Sequence, residues 1–164
     1  MRPAVFLDRD GILNKDKGYV YRIEDFEWIP GSKQAIKFIN EKNYYIFVVT
    51  NQSGIARGYY SENDVLSLHN YIIKELKREK AFINEFFYSP YHPNFANKYS
   101  NLSHLRKPNV GMLDLACKKW KVNKRKSLMI GDSESDMICA KNFGIKGHLF
   151  TSSNLFDFVK SIID

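Results

Sequence analysis

Short apolar segments alternate with segments of helical periodicity along the whole chain. The first apolar segment is Ala4 to Leu7, followed by "YYIFVVT" from residue 44, "FINEFFYS" from 82, "SLMIGD" from 127 and "KGHLF" from 146. Four consecutive apolar residues that end at a polar turn, as in the first segment, are typical of a strand covered on both faces. The alternation therefore predicts an α/β fold in which helices connect about five or six strands of a central parallel sheet.

Four segments between these strands have the apolar spacing of helices, at residues 31–40, 61–80, 109–121 and 133–143. In the clearest, "SENDVLSLHNYIIKELKREK", Ser61 and Asp64 have the spacing of a capping box. An apolar stripe along this segment consists of Val65, Leu68, Ile72 and Leu76. His69 adjoins the stripe, so we expect its ring to pack in the core rather than to take part in catalysis.

Length and composition indicate one domain over residues 1–164, since 44% apolar residues can fill one core. The longest strongly apolar stretch, Tyr44 to Val49, is too short to cross a membrane, and the amino terminus lacks the apolar region of a signal peptide. We therefore expect a cytoplasmic protein with no membrane partner, and a monomer by default.

Cys117 and Cys139 lack partners at metal-ligand spacing and are expected to be buried free thiols.

The net charge of +7 would suit either nucleic acid or small anionic molecules as partners. The basic residues are scattered, and the densest runs, Lys74 to Lys80 and Lys118 to Lys126, are typical of solvated helix faces. The chain has no clear basic stripe with interleaved aromatic residues of the kind that binds nucleic acid. We therefore expect a small anionic partner and no nucleic acid.

Polar side chains follow three of the predicted strands. The first strand ends in "DRDG" from Asp8, the second in "TNQSG" from Thr50, and the fourth in Gly131-Asp132 with Asp136 close behind. The carboxyl ends of parallel strands share one edge of the sheet, where α/β proteins bind their ligands. A long irregular segment at about residues 89–110, here called the flap, would add Arg106 and Lys107 to this edge.

Three carboxylates at one sheet edge predict a magnesium site. Mg²⁺ prefers oxygen ligands, and it would lie between Asp8, the carbonyl or carboxylate of Asp10, and Asp132. Asp136 has two interpretations: it contributes to this metal site from further out, or it caps a helix together with Ser133.

The same groups suit phosphoryl transfer, which requires positioning and charge stabilisation more than elaborate covalent chemistry. Asp8 would attack phosphorus and form an aspartyl-phosphate. Asp10, two positions along, would protonate the leaving group and later activate water. Thr50 and Lys107 would hold the oxygens of the phosphoryl group.

These motifs resemble those of the haloacid dehalogenase (HAD) superfamily of aspartate-nucleophile phosphatases. They read "FLDRDG", "VVTNQSG", the lysine of "RKP", and "IGDSESD". The segments "DKGYV", "TNQSGIARG", "RKPNVGML" and "SPYHP" further resemble the subfamily that contains D-glycero-D-manno-heptose 1,7-bisphosphate 7-phosphatases and histidinol-phosphate phosphatases. The likeness covers most of residues 4–145 and implies a Rossmann-like HAD fold, and no insertion is long enough for a large cap domain.

The resemblance also implies site residues. It makes Asp8 the nucleophile and Asp10 the acid/base, with Thr50 and Lys107 stabilising the transferring group. The implied substrate site consists of Asp16, Lys17, Gly18, Tyr19, Asn51, Gln52 and Ser53, and Arg106 would recognise the distal part of the substrate.

One departure from the subfamily concerns zinc. Its members commonly bind structural Zn²⁺ in the flap through CxH and CxC pairs, but the corresponding positions here are Ser89, Tyr91, Ser103 and Leu105. The neighbouring His92 and His104 fall short of a closed tetrahedral site. We therefore predict Mg²⁺ but no zinc.

Three classes of function stay open from the sequence. The favoured one is a Mg²⁺-dependent phosphatase of carbohydrate metabolism that removes the 7-phosphate of a heptose bisphosphate, with histidinol phosphate as the alternative small substrate. The second is a polynucleotide 3′-phosphatase, which would exploit the positive charge. The third and least favoured is a non-catalytic phosphate-binding module, because every catalytic position is filled.

Overall fold

The computed structural model describes residues 1–164 and contains one five-stranded sheet. The strands are β1 (Ala4–Leu7), β2 (Tyr45–Asn51), β3 (Glu85–Ser89), β4 (Leu128–Gly131) and β5 (Lys146–Leu149). Their order across the sheet is β3-β2-β1-β4-β5, and every neighbouring pair is parallel. The predicted parallel sheet is confirmed, with strand ends within a few residues of the apolar segments.

Five α-helices flank the sheet. They are α1 (Ser32–Glu41), α2 (Glu62–Arg78), α3 (Gly111–Lys119), α4 (Glu134–Phe143) and α5 (Leu155–Ile162). The Ser61 and Asp64 side chains form the predicted capping box at the start of α2. Helix α5 was not predicted, although Asn154 caps it and Leu155 and Val159 are buried in the core beside α1. None of these helices combines the length and apolar character needed to cross a bilayer.

The core has two layers, one on each face of the sheet. Val5 and Leu7 of β1 point into a layer with α1, α2 and α5, whereas Ala4 and Phe6 point into a layer with α3 and α4. Since side chains alternate along a strand, covering both faces requires apolar residues at every position. This explains the uninterrupted apolar run of β1.

The strand order places the strongest sequence motifs side by side. From β1 the chain builds β2 and β3 on one side of the sheet, and it then returns to add β4 and β5 on the other. Ligands of open α/β sheets bind at such a reversal, outside the carboxyl ends of the central strands. Asp8, after β1, and Asp132, after β4, therefore follow adjacent strands at this point.

The flap is held to the body of the protein by polar contacts. The hydroxyls of Tyr88 in β3 and Tyr99 in the flap donate to the two carboxylate oxygens of Glu62, at 2.7 and 3.3 Å. Asn97 Nδ2 donates to the Ala56 carbonyl at 3.0 Å. These contacts fix the flap to the first turn of α2 and to the loop before it.

Both cysteines are free thiols, as predicted. Cys139 of α4 is buried, but the expectation of burial is wrong for Cys117, which is only partly buried because it lies at the margin of the α3–α4 layer.

Candidate active site

Lys107 and two carboxylates form a buried ion-pair network at the carboxyl ends of β1 and β4. The Lys107 ammonium donates to Asp8 Oδ1 at 2.9 Å and to Asp136 Oδ1 at 2.7 Å. Its side chain is 2% exposed, and that of Asp8 is 13% exposed. Asn51, the last residue of β2, positions the lysine by exchanging two hydrogen bonds with its backbone. Lys107 binds Oδ1 of Asp8 and so fixes the orientation of this carboxylate, which lines the cleft.

Asp132 joins Asp8 and Asp136 in an acidic cluster. One carboxylate oxygen from each of the three lies within 4.8 Å of the others. Lys107 compensates one of the three negative charges, so two are left for a divalent cation to balance. A donor set made only of oxygen suits Mg²⁺. Gly11 has φ +88°, and any side chain there would overlap the Asp132 carboxylate, so the glycine is required for the cluster to form.

The electrostatics of this cluster follow from burial. Burial raises the pKa of Asp8 above its usual range, although Lys107 acts in the opposite direction. Burial likewise raises the pKa of Asp132, and the neighbouring Asp136 carboxylate adds to the shift. Burial by itself would lower the pKa of Lys107, but Asp8 and Asp136 reverse this effect and raise it. Lys107 is therefore a permanent cation. Additional positive charge near Asp8 and Asp132 would stabilise the ionised forms of these two carboxylates.

Asp136 caps helix α4, which is one of the two interpretations that the sequence left open, and it also pairs with Lys107. Its Oδ2 accepts from the Ser133 hydroxyl and backbone N–H and so closes a capping box at the start of α4, while its Oδ1 accepts from Lys107. The cap fixes this carboxylate in the orientation that binds the lysine. The remaining carboxylates of the cluster, Asp8 and Asp132, are the ones freest to bind a cation.

Asp10 lies in a separate set of hydrogen bonds. Arg9 Nη2 donates to both of its carboxylate oxygens at 3.0 and 3.2 Å, Asn14 Nδ2 donates at 3.0 Å and Gln52 Nε2 donates at 3.1 Å. The Asp10 carboxylate is not part of the acidic cluster. Of the two metal-binding modes predicted for Asp10, through carbonyl or carboxylate, this arrangement favours the backbone carbonyl.

Thr50 lies deeper than the sequence suggested. Its side chain is fully buried, and its hydroxyl accepts a hydrogen bond from Gln52 Nε2 at 2.9 Å. Gln52 in turn accepts from the Tyr60 hydroxyl at 2.6 Å. In this arrangement Thr50 orients Gln52, and it does not line the cleft above Asp8.

A cleft of about 360 Å³ opens above these groups. The predicted residues that line it are Asp8, Asp10, Asp16, Gly18, Tyr19, Asn51, Gln52, Ser53, Lys107, Asp132 and Asp136. Three predicted residues, Lys17, Thr50 and Arg106, are not among its walls. Tyr60 and Ser135, which were not predicted for the site, also line the cleft, as does Ser133, which was predicted only as a helix cap.

Arg57 is a further residue near the cleft that was not predicted from the sequence. Its guanidinium lies 5.9 Å from the ring centre of Tyr19, at the rim of the cleft, and donates to His92 Nε2 of the flap at 3.0 Å. Its positive charge lowers the pKa of the neighbouring Arg106, after the larger effect of burial. Neither arginine has a carboxylate partner, and Arg57 Nε is buried without a hydrogen bond. It lies in the segment "TNQSGIARG" that resembles the subfamily, but nothing in the sequence assigned a role to Arg57.

Comparison with known proteins places this geometry in a family. Residues 104–154 match the family model described as HAD-hydrolase-like. A D-glycero-β-D-manno-heptose-1,7-bisphosphate 7-phosphatase of Rhodopseudomonas palustris is 43% identical over 164 residues, which cover 99% of this chain and 91% of the relative. The chain belongs to the HAD superfamily of phosphatases. The resemblance seen in the four motifs is confirmed.

Solved structures of HAD phosphatases agree with this assignment. A candidate HAD-like phosphatase from Mesorhizobium loti superposes with a TM-score of 0.86 at 31% identity, covering 98% of this chain and 86% of that one. A D,D-heptose 1,7-bisphosphate phosphatase from B. bronchiseptica, complexed with magnesium and phosphate, gives a TM-score of 0.81 at 26% identity with the same coverage. HAD phosphatases depend on Mg²⁺, and the acidic cluster of this chain provides a suitable set of oxygen ligands.

Proposed function

We propose that this chain is a Mg²⁺-dependent phosphatase that removes the 7-phosphate of a D-glycero-D-manno-heptose 1,7-bisphosphate. The observation that carries the proposal is the separation of the two central carboxylates: Asp8 is held by Lys107 at the base of the cleft, and Asp10 is held by Arg9, Asn14 and Gln52. A nucleophile and a proton carrier need such different surroundings. The 43% identical relative bears the name of this activity, which supports the choice of substrate.

The chain's own residues account for both halves of the reaction. An Asp8 oxygen forms a bond to phosphorus as the bond from phosphorus to the sugar oxygen breaks, which gives an aspartyl-phosphate and an alkoxide. Protonated Asp10 gives its proton to that alkoxide. In the second half, the Asp10 carboxylate takes a proton from water as the water attacks phosphorus, and phosphate and free Asp8 are released. Lys107 stabilises the oxygens of the transferring group in both steps.

The proposed ligands of Mg²⁺ are Asp8, Asp132 and the Asp10 carbonyl. When bound, the ion would reduce the repulsion between the carboxylate nucleophile and the anionic phosphate and stabilise charge in the transition state. The cluster fits this role because its oxygens converge and carry uncompensated negative charge.

The second phosphate of the substrate has a matching pair of cations. Arg57 lies beside Tyr19 at the rim of the cleft and is close enough to Arg106 to lower its pKa, and neither arginine is neutralised by a carboxylate. Arginine is well suited to recognise a phosphate through its fork of N–H groups. We infer that the two arginines contact the phosphate that is not hydrolysed.

A substrate panel tests the proposed function. The purified protein is assayed for phosphate release from the α and β anomers of heptose 1,7-bisphosphate, histidinol phosphate and a 3′-phosphorylated oligonucleotide, each with and without Mg²⁺. Highest kcat/KM on a heptose bisphosphate is expected. Preference for histidinol phosphate or for the oligonucleotide would contradict the proposed substrate, and no release from any compound would favour a non-catalytic module.

Arg57→Ala is expected to lower kcat/KM for the bisphosphate by about 10- to 100-fold, the range for losing a charge-assisted hydrogen bond. A sugar monophosphate that lacks the second phosphate should be hydrolysed at nearly the wild-type rate. The control is Lys98→Ala, since Lys98 is an exposed cation of the flap that does not line the cleft. Equal losses on bisphosphate and monophosphate would show that Arg57 serves flap structure rather than recognition.

Asp10→Asn is expected to lower kcat on alkyl phosphates by roughly 10²-fold or more, in line with the loss of a general acid. The loss should be much smaller on aryl phosphates, whose leaving groups depart without a proton. Steady-state assays on a sugar phosphate and on p-nitrophenyl phosphate measure the difference. The same loss on both substrates would argue against the acid/base role.

Three further expectations from the sequence stay predictions: a cytoplasmic location, a monomeric state and the absence of a nucleic-acid partner. Light scattering tests the second, and the oligonucleotide of the panel tests the third.

A further inference from the structure

Arg9 is a fully buried cation that connects the active site to helix α2. Its Nη2 donates to both oxygens of Asp10 and to the Val20 carbonyl at 2.6 Å. Its Nη1 lies 3.3 Å from Nε2 of His69, a residue on α2 that is 3% exposed. Asp10 is the only carboxylate that pairs with Arg9. Arg9 is the one donor that reaches both oxygens of Asp10, beside Asn14 on one oxygen and Gln52 on the other, so the position of this guanidinium contributes to the orientation of the carboxylate.

Nε2 of His69 is the hydrogen-bond acceptor for the Arg9 guanidinium. A guanidinium has only donors, so Nε2 of His69 must accept and the ring proton must reside on Nδ1. Burial, together with the Arg9 charge, lowers the pKa of His69 to about 3, so the ring is neutral at ordinary pH. The ring also stacks on Phe86 of β3, with centroids 4.5 Å apart. His69 is thus both packed and polar, which the expectation of simple core packing did not include.

We propose that His69 is a positioning residue that aligns the catalytic carboxylate of Asp10 through the Arg9 guanidinium. His69 holds one terminal nitrogen of Arg9 and the Val20 carbonyl holds the other, so the plane of the guanidinium is fixed on two sides. Without the His69 acceptor, a buried N–H loses its partner and the guanidinium can tilt towards other acceptors. Asp10 would tilt with it. Displacement of a catalytic group by about 1 Å can cost up to about 10²-fold in rate.

Two substitutions separate this role from packing. His69→Phe keeps an aromatic ring against Phe86 but has no acceptor, whereas His69→Gln keeps an acceptor oxygen. The proposal rests on the proposed function, so kcat and KM are measured on a sugar phosphate and on p-nitrophenyl phosphate. Asn70→Ala, on the exposed neighbour, is the control and should leave both activities unchanged.

His69→Phe is expected to lower kcat on the sugar phosphate about tenfold, within the limit set by such displacements, with little change in KM or in the aryl phosphate rate. His69→Gln should recover most of the loss. Equal losses on both substrates, full activity of His69→Phe, or equal defects in the two variants would each overturn the proposal.

A second readout needs no turnover and so keeps the proposal testable if the proposed function fails. Nitrogen NMR of the wild type should show a neutral His69 ring protonated on Nδ1. The Arg9 guanidinium protons should be protected from exchange in the wild type and in His69→Gln, and they should exchange faster in His69→Phe. Protonation on Nε2, or the same Arg9 exchange rate in all three proteins, would overturn the proposal independently of any assay.

Discussion

Asp8→Asn is expected to abolish turnover, with a loss of kcat of roughly 10⁵-fold or more, as when the nucleophile of other covalent enzymes is removed. The amide is nearly isosteric with the carboxylate and can still accept from Lys107, which also keeps its ion pair with Asp136. The fold should therefore persist while the nucleophile is lost. Acid-quenched wild-type enzyme should carry a phosphoryl group on Asp8 in mass spectrometry, and the variant should carry none.

The matched control is Asp114→Asn, which removes an exposed carboxylate on α3 that does not line the cleft. It should turn over at the wild-type rate. Thermal denaturation of all three proteins checks that Asp8→Asn is folded. Near wild-type turnover in a folded Asp8→Asn protein would rule out the covalent route.

Removal of Mg²⁺ is expected to be almost as severe, with a loss of activity of about 10³-fold or more, because metal ions supply several kcal/mol of charge stabilisation in such reactions. The structural reason is the acidic cluster, in which a single lysine faces three carboxylates. Activity should disappear after exhaustive EDTA treatment and return with added Mg²⁺. Asp132→Asn should raise the Mg²⁺ concentration needed for half-maximal rate. Activity that persists after EDTA treatment would contradict the proposed requirement for Mg²⁺.

The companion prediction is that purified protein carries no stoichiometric zinc. The flap positions that would supply zinc ligands are Ser89, Tyr91, Ser103 and Leu105, and zinc prefers nitrogen and sulfur. Elemental analysis of protein purified without a histidine tag or chelator is the measurement. One equivalent of zinc per chain would show that other residues bind it.

The sheet could be predicted from the sequence because burial on both faces leaves a local signature. The apolar run of β1 ends one residue before Asp8, as the structure shows. Helix α5 was missed although its sequence carries a local signal: Leu155, Val159 and Ile162 have helical spacing, and Leu155 and Val159 are buried where α5 packs on α1. No element was predicted after the fifth strand, although the Asn154 side chain accepts from the Asp157 N–H and caps α5.

Most residues that line the cleft could be predicted because each follows a strand end or belongs to a short motif. Arg9, His69 and Arg57 could not, because their roles depend on contacts between distant segments, such as the 60-residue separation of Arg9 and His69. A charged residue inside "DRDG" gives no sign of whether it points to solvent or into the core. The sequence indicated the position of Thr50 at the end of β2 but not the hydrogen bond that its hydroxyl accepts from Gln52.

The way in which the flap is attached affects its sensitivity to oxidants. Its contacts are made by oxygen and nitrogen atoms: the Tyr99 hydroxyl donates to Glu62, and the Asn97 amide donates to the Ala56 carbonyl. The nearest thiol, Cys139, touches the flap end at Asn109 but is buried, which raises its pKa to about 11 and keeps it protonated. A zinc–thiolate clasp would release its metal when peroxide converts its sulfurs to sulfenic acid. The hydrogen bonds that hold the flap join phenols, an amide, a carboxylate and a carbonyl. Because they involve neither sulfur nor a metal, oxidation of thiols and loss of zinc would leave them intact.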